Sequence, residues 1–100
     1  MKRLFFILRT RGAGWDREKA LEEQPGWDAH ADFMNGLAQE GFIVLGGPLE
    51  GTPNVLLLAM AQSEEEIRER LAADSWAAND LLRVERVAPW NLKLGIWQKS

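Results

Sequence analysis

The stretch that decides the fold is "FIVLGGPLEGTPNVLLLAMA", residues 42–61. Its two ends, 42–47 and 54–61, are apolar runs of strand length. Glycine, proline, threonine and asparagine are concentrated between them, over 46–54, and these residues favour tight turns. Short apolar runs without polar alternation are typical of strands buried on both faces. The stretch therefore predicts two strands joined by a turn.

Strands and helices alternate on either side of this hairpin. The N-terminal run "LFFIL" predicts a buried strand over residues 3–10, and a fourth, more charged strand is predicted over 82–88. Apolar residues recur at helical spacing over 27–41, where Gly41 serves as the C-terminal stop. The sequence "SEEE" at 63–66 is a capping box that starts a second helix. The predicted order is βαββαβ, the ferredoxin-like plan.

This plan is an α+β sandwich in which an antiparallel sheet carries both helices on one face. Its first and third strands are central, which agrees with their apolar sequences, and its charged fourth strand lies at an edge. Because the helices cover only one face, the other face would expose apolar residues to water in a monomer. We therefore expect a homodimer packed sheet to sheet. The alternating tail, residues 91–100, is a candidate for one more strand.

Composition limits the possible classes of protein. One hundred residues, 46% of them hydrophobic, predict a single globular domain over 1–100. The net charge is −3 and no basic stripe is present, so nucleic acid is not an expected partner. The absence of cysteine fits a reducing compartment, and the apolar runs are too short for a signal peptide or a membrane span. We expect a cytoplasmic protein with no membrane partner.

A long connection, residues 11–26, joins the first strand to the first helix. Within it, "DREKALEEQ" at 16–24 is able to form a loose helical turn. Connections longer than about 12 residues are uncommon and are often lids or mobile segments. The segment is therefore a candidate lid.

His30, the only histidine, lies on the apolar stripe of the first helix with Trp27 and Met34, so its ring is predicted to face the sheet. The positive end of the helix favours a neutral imidazole, which suits a base. Asp74 continues the apolar stripe of the second helix, one turn beyond Leu71. Since both helices pack on the same sheet face, we predict that His30 and Asp74 meet. Asp74 would then orient the imidazole for proton transfer.

Simpler structural interpretations stay open for these residues. A lone histidine on an apolar face is often satisfied by a backbone carbonyl, and Asp74 would also suit the cap of the turn "DSWAAND". The acidic runs at 22–23 and 64–66 are typical of solvated helix faces, and one histidine makes a poor metal site. The sequence "GGP" at 46–48 lacks the spacing of a phosphate loop. We therefore expect no metal and no cofactor.

The stretches "WDAHADFMNGLAQEGFIVLGGPL", "SEEEIRERLAADSW" and "LLRVERVAPW" together resemble the YCII-related domain family. The resemblance runs from about Trp27 to Trp90 and rests on a helix histidine, a following glycine, a Gly-Pro turn and an aspartate closing the second helix. It implies a dimeric α+β barrel in which His30 and Asp74 are the catalytic pair. The family usually has proline where this chain has Ser75, and this leaves the aim of Asp74 less determined.

The resemblance also implies a class of reaction. Relatives with this barrel architecture eliminate halide from a chlorinated hydroxyquinol or isomerise muconolactones, so proton transfer on a small cyclic compound is expected. We predict a cofactor-free lyase or isomerase in which His30 is general base and acid and Asp74 its orienting partner. The alternative is a non-enzymatic dimeric protein that binds a small ligand or supports a pathway partner.

Further residues are predicted to contact the substrate. Some would form the apolar walls of the binding pocket and others part of its rim, and Arg9 would stabilise negative charge that develops on the substrate. A solvent-facing arginine is the alternative interpretation of Arg9. The candidates are Trp27, Phe33, Met34, Gly47, Pro48, Trp76 and Arg9.

Overall fold

The computed structural model describes residues 1–95, in which four strands form one antiparallel sheet. The sheet order is β2-β3-β1-β4, so the two most apolar strands are central, as predicted. The ferredoxin-like α+β fold is thereby confirmed. The strands are β1 (Arg3–Arg11), β2 (Ile43–Pro48), β3 (Asn54–Ala61) and β4 (Leu82–Pro89).

Helices connect β1 to β2 and β3 to β4, whereas a turn joins β2 to β3. The predicted helical turn in the long connection is a single 3₁₀ turn, and the second predicted helix is followed by a short third one. The helices are α1 (Trp27–Gln39), α2 (Glu64–Ala72) and α3 (Ser75–Ala78), and the 3₁₀ turn is Leu21–Glu23.

The stop signal at Gly41 acts as predicted, although α1 itself ends two residues earlier, at Gln39. The Gly41 amide donates to the Ala38 carbonyl at 3.0 Å, and the Phe42 amide donates to the Leu37 carbonyl at 3.1 Å. Gly41 has a φ of 82°, the left-handed conformation that glycine adopts at little cost. These contacts form a Schellman motif, which satisfies carbonyls at the end of the helix and turns the chain into β2.

The second helix begins as predicted and ends earlier than predicted. The Ser63 hydroxyl accepts the Glu66 amide at 3.1 Å, but the Glu66 carboxylate accepts the Gln62 amide, one residue before the cap. Because α2 ends at Ala72, Asp74 does not lie on its apolar stripe. Asp74 is instead the N-cap of α3, so the capping interpretation of this residue is the correct one for its backbone position.

The two faces of the sheet differ in what covers them. Phe5 and Ile7 of β1 are buried in a core that includes Ile67 and Leu71 of α2. Alternate residues of a strand point to opposite faces, so the even-numbered residues of β1 face away from the helices. That surface, called the open face below, is apolar and mostly half-buried in the single chain. Its central residues are Leu4, Phe6, Leu8, Leu56, Leu58 and Met60.

The C-terminal tail adds no strand over residues 91–95. The remainder of the tail that was a candidate strand, 96–100, lies outside the described residues. Among the helices of residues 1–95, none combines the length and the apolar character that crossing a membrane requires.

Candidate active site

Three elements bring His30, Asp74 and Arg9 together. His30 comes from the N-terminal half of α1, Asp74 from the cap of α3 and Arg9 from β1. The Nδ1 atom of His30 lies 2.8 Å from Oδ2 and 2.9 Å from Oδ1 of Asp74. Nη1 of Arg9 lies 3.1 Å from the same Oδ2. The two residues predicted to meet are thus in direct contact, while their catalytic role stays a prediction.

The backbone orients Asp74 toward His30 although Ser75 stands at the position where the resembling family usually has proline. Asp74 has φ −68° and ψ 131°, the extended conformation that a following proline would impose, although Ser75 follows it here. Its Oδ1 accepts the Trp76 amide at 3.1 Å. Ser75 is the first residue of α3, a position at which proline is also favoured. The capping hydrogen bond therefore holds the geometry that proline would supply.

The surroundings of Asp74 decide which nitrogen of His30 carries a proton. Burial by itself raises the pKa of the Asp74 carboxyl, because a charge is costly away from water. Hydrogen bonds from His30 and from the Trp76 amide, together with the charges of His30 and Arg9, outweigh burial and hold this pKa below its ordinary value. The ionised carboxylate can only accept, so Nδ1 of His30 is the donor. In the neutral ring, Nε2 then holds the free lone pair.

The indole of Trp76 forms a flat support beneath His30. The two ring centroids are 3.8 Å apart and the ring planes differ by 6°. Trp76 is fully buried, its Nε1 donates to the Pro25 carbonyl at 2.7 Å, and Trp15 packs edge-on against it at 5.5 Å. Trp76 lines the cavity, where a wall was predicted, and its buried ring also holds the imidazole.

A cavity of about 430 Å³ lies beside His30, between α1 and the sheet. This volume is within the range of small-molecule sites. Trp27 and Met34 of α1 and Gly47 and Pro48 of β2 line it, in the positions predicted for walls and rim. The His30 side chain is 12% exposed, so a bound molecule is able to reach the ring.

Two other predicted contact residues are placed differently. Phe33 does not line the cavity and packs against the main core, because one helical step of about 100° turns it away from Met34. Arg9 does line the cavity, but it is 1% exposed, so the solvent-facing alternative is wrong. The alternation of β1 places Arg9 on the same face as the buried Ile7.

Sequence reasoning missed several lining residues, chiefly Arg11 at the end of β1 and Trp15 and Leu21 in the long connection. Asn35 and Asn54 also reach the cavity. Trp15 carried a usable signal, because a large aromatic residue in a polar connection needs a surface to cover it. The others carried none, since their proximity depends on how the chain returns to the sheet.

The start of the 11–26 segment is attached to the turn before β4. The amides of Gly12 and Gly14 donate to the carbonyls of Leu81 and Asp80 at 2.8 and 2.9 Å. A Cβ atom on Gly12 would collide with the Asp80 carbonyl, so the close approach needs glycine.

The second half of this segment is closed by Gln24, which is 2% exposed. Its Oε1 accepts the Asp16 amide at 2.9 Å, and its Nε2 donates to the carbonyls of Asp16 and Lys19 at 2.7 and 3.0 Å. Together with the bond from Trp76 to Pro25, these contacts fix the segment, which contributes Trp15 and Leu21 to the cavity wall. Its function as a lid stays a prediction.

The contact between His30 and Asp74 limits where a metal ion could bind in the site. Among residues 1–95, no three histidine, cysteine, aspartate or glutamate side chains group as metal ligands do. The imidazole of His30 and the carboxylate of Asp74 already bond to each other, so a metal on Nδ1 would have to break that contact.

The fold is shared with a solved enzyme structure. That enzyme is the 5-chloro-2-hydroxyhydroquinone dehydrochlorinase (TftG) of Burkholderia phenoliruptrix AC1100, whose structure was solved in complex with 2,5-dihydroxybenzoquinone. The TM-score is 0.62, the sequence identity is 22%, and the match covers 92% of this chain and 95% of that chain. The two chains have one fold. At this identity the likeness shows no more than that, and no protein-family model or curated protein sequence matches the chain.

Proposed function

We propose that this protein is a lyase or isomerase that moves a proton on a small cyclic, oxygenated molecule without a cofactor. The observation that carries the proposal is the 2.8 Å hydrogen bond from Nδ1 of His30 to Asp74, made by a ring on the wall of a cavity. A general base needs a lone pair within reach of the substrate and a group that fixes its orientation. Nε2 of His30 supplies the lone pair, and Asp74 together with Trp76 fixes the ring.

In the proposed reaction, Nε2 of His30 removes a proton from a carbon or hydroxyl group of the bound molecule. The imidazolium that forms is stabilised by the ionised Asp74 carboxylate. An isomerase returns the proton to another atom of the same molecule, and a lyase delivers it to the leaving group or to solvent. Trp27 and Met34 are the apolar walls, and the backbone at Gly47 and Pro48 is part of the rim.

Membership of the YCII-related family is part of this proposal. It is supported by the contact between His30 and Asp74, by the position of Gly47 and Pro48 at the cavity, and by the fold shared with the dehydrochlorinase. The name of that enzyme describes loss of hydrogen chloride from a hydroxylated ring, which is the reaction class proposed here. A cytoplasmic location and a single domain over 1–100 stay predictions.

The alternative function, a non-enzymatic ligand-binding or accessory protein, is favoured by one observation. Asp74 caps α3 and pairs with the buried Arg9, so a structural need alone would account for its position. The two functions differ in what His30 does, and a substitution of His30 distinguishes them.

We expect the wild-type protein to accelerate proton transfer on at least one small cyclic substrate and His30→Gln to lose at least about 100-fold of that rate, the usual contribution of a general base. The first probes are 5-chloro-2-hydroxyhydroquinone, followed by chloride release, and an unsubstituted butenolide, followed by deuterium incorporation in heavy water. Asp32→Asn, an exposed change on the same helix, is the matched control and should retain the full rate.

The contrary result is equal turnover, or none, for wild type and His30→Gln with both probes, and it would favour the binding protein. Nitrogen-15 NMR of the His30 ring adds a direct test of the pair. The resonance of the Nδ1 proton should change in Asp74→Asn, because the amide no longer carries the negative charge that this proton faces. An unchanged Nδ1 proton resonance would contradict the pair.

We also propose that the protein is a homodimer joined through its open face. Leu4, Phe6 and Leu8 of β1 pair with apolar residues of β3, so an apolar surface runs across both central strands. A surface of this kind is rare on a monomer unless a partner covers it, and a second copy offers the same surface.

Phe6→Glu is expected to convert the dimer to a monomer in sedimentation at micromolar concentration, because it places a charge at the centre of the interface. Ala29→Glu is the control, since Ala29 is exposed on α1, which covers the opposite face of the sheet. Circular dichroism should show both variants folded. A wild-type protein that sediments as a monomer would contradict the dimer.

A further inference from the structure

The polar groups around the cavity have an uneven charge. Arg9, Arg11 and His30 line it, together with two asparagine amides, whereas no aspartate or glutamate does so within the described residues. The whole chain has the opposite balance, with 15 acidic and 12 basic residues. Among the described residues, acidic side chains are thus absent from the lining of the cavity that holds the candidate base.

Arg9 has donors that no described residue satisfies. Its side chain is 1% exposed, and Nη1 contacts the Asp74 carboxylate at 3.1 Å and the Met34 sulfur at 3.9 Å. Nε and Nη2 are buried and have no hydrogen-bond partner among residues 1–95. Leaving such donors unpaired is costly, more so on a charged group, so an acceptor at this place is strongly favoured. A thioether such as that of Met34 is only a weak acceptor.

Arg11 carries a second positive charge to the mouth of the same cavity. Its guanidinium carbon lies 4.4 Å from the centroid of the Trp15 ring, which holds the side chain over the cavity wall. Within residues 1–95, Arg11 has no carboxylate in salt-bridge distance, whereas the charge of Arg9 is shared with Asp74. The potential in the cavity is therefore expected to favour an anion.

We infer that the ligand of this cavity carries an anionic oxygen, either a carboxylate or an ionised ring hydroxyl, which is bound on the side of Arg9 and Arg11. The inference rests on the proposed function and specifies its substrate class: a small flat anion whose ring lies against Trp27 and Met34. The anionic oxygen accepts hydrogen bonds from the free guanidinium donors of Arg9. The reacting atom then faces Nε2 of His30.

The test compares benzoate with benzamide, two flat molecules of nearly equal shape that differ by one charge. Calorimetric titration is made with the wild type and with His30→Gln, so that a histidine charge is excluded as the source of benzoate binding. Benzoate should bind at least about tenfold more tightly than benzamide, and its affinity should fall as salt is raised. Equal affinities, or no saturable benzoate binding up to about 10 mM, would overturn the inference.

Two variants assign the preference to the arginines. Arg11→Gln should weaken benzoate binding by up to about fivefold, as expected for an exposed charge. Arg9→Lys retains the charge beside Asp74 but lacks the planar guanidinium donors, and it should lose most of the preference over benzamide. Arg83→Gln, which lies outside the cavity, is the matched control and should retain it. Thermal unfolding verifies that Arg9→Lys is folded, and a folded Arg9→Lys with the full preference contradicts the role of Arg9.

The result is separable from the proposed function. Benzoate preference that persists in His30→Gln, with no proton transfer by the wild type, supports the anion site and contradicts the enzyme. Proton transfer that depends on His30, without any benzoate preference, supports the enzyme and contradicts the anion site.

Discussion

Asp74→Asn is expected to lower the free energy of unfolding by about 3–5 kcal/mol, the usual cost of leaving a buried charge without its partner. The charge left behind is that of Arg9, which is 1% exposed and 3.1 Å from the carboxylate. Asparagine retains an oxygen for the Trp76 amide, so the cap of α3 is preserved and the loss reports on the charge. Urea denaturation at neutral pH measures it.

The variant Arg9→Met tests whether the unpaired charge of Arg9 causes the loss of stability in Asp74→Asn. The double variant Arg9→Met with Asp74→Asn should recover most of the stability lost in Asp74→Asn, because no unpaired charge remains buried. Asp80→Asn removes an exposed ion pair with Arg83 and should leave the denaturation midpoint almost unchanged. Asparagine also tolerates the positive φ of Asp80, 58°. A double variant no more stable than Asp74→Asn would contradict the proposed cost.

The pH dependence of stability gives a second measure of Asp74. Because its pKa is held below the ordinary value, its contribution to stability is complete above about pH 4, the unfolded carboxyl range. That contribution is lost as the pH falls through the lowered pKa. Asp74→Asn should therefore lose stability less steeply in acid than the wild type. If the free energy of unfolding fell equally steeply with decreasing pH in both proteins, that result would contradict the lowered pKa of Asp74.

Trp76→Ala is expected to lower the free energy of unfolding by about 3–5 kcal/mol, the usual cost of removing a large buried aromatic side chain. Trp76 is fully buried and contacts Trp15, Trp27 and His30, and its Nε1 satisfies the Pro25 carbonyl. The variant therefore loses the packing against Trp15 and Trp27 together with the hydrogen bond that holds one end of the 11–26 segment. Thermal and urea unfolding both measure the loss.

Trp76→Phe separates the stack on His30 from the hydrogen bond to Pro25. Phenylalanine retains a flat ring beneath the imidazole but leaves the Pro25 carbonyl without its donor, so a loss of about 1–3 kcal/mol is expected. The proton chemical shifts of the His30 ring report the stack, because a ring 3.8 Å away shifts them strongly. They should move in Trp76→Ala and largely persist in Trp76→Phe. A Trp76→Ala protein with unshifted His30 signals would contradict the stacked geometry.

These two predictions share a structural cause. The carboxylate of Asp74 caps α3, pairs with Arg9 and orients His30, while Trp76 supports both the imidazole and the long connection. The candidate site is therefore part of the core, and its geometry depends on the stability of the fold. A substitution that removes contacts of Asp74 or Trp76 is expected to alter the geometry of the site before it unfolds the protein.

Much of the fold was predictable because it follows from local rules. The apolar runs of β1 and β3 predicted two central strands, and Gly41 predicted the end of the first helix within two residues. The predicted contact of Asp74 with His30 is present, but Asp74 does not belong to the second helix as predicted. Periodicity extended the second helix by one turn, whereas α2 ends at Ala72 and capping starts α3. Whether a helix continues or a new helix is capped depends on tertiary packing, and the periodicity of apolar residues carries no information about that packing.

By itself, the sequence determined the order of the strands and of the two longer helices, the faces that are apolar, and the presence of one polar residue, His30, on an apolar stripe. These properties depend on residues within a few positions of each other. Only the tertiary structure decided that Arg9 is buried beside Asp74 and that Trp76 lies beneath His30. His30 and Asp74 are 44 residues apart in the chain, and they meet because two helices pack on one sheet face. The charges and hydrogen-bond donors that surround the cavity follow from that packing, because no local pattern links residues so far apart.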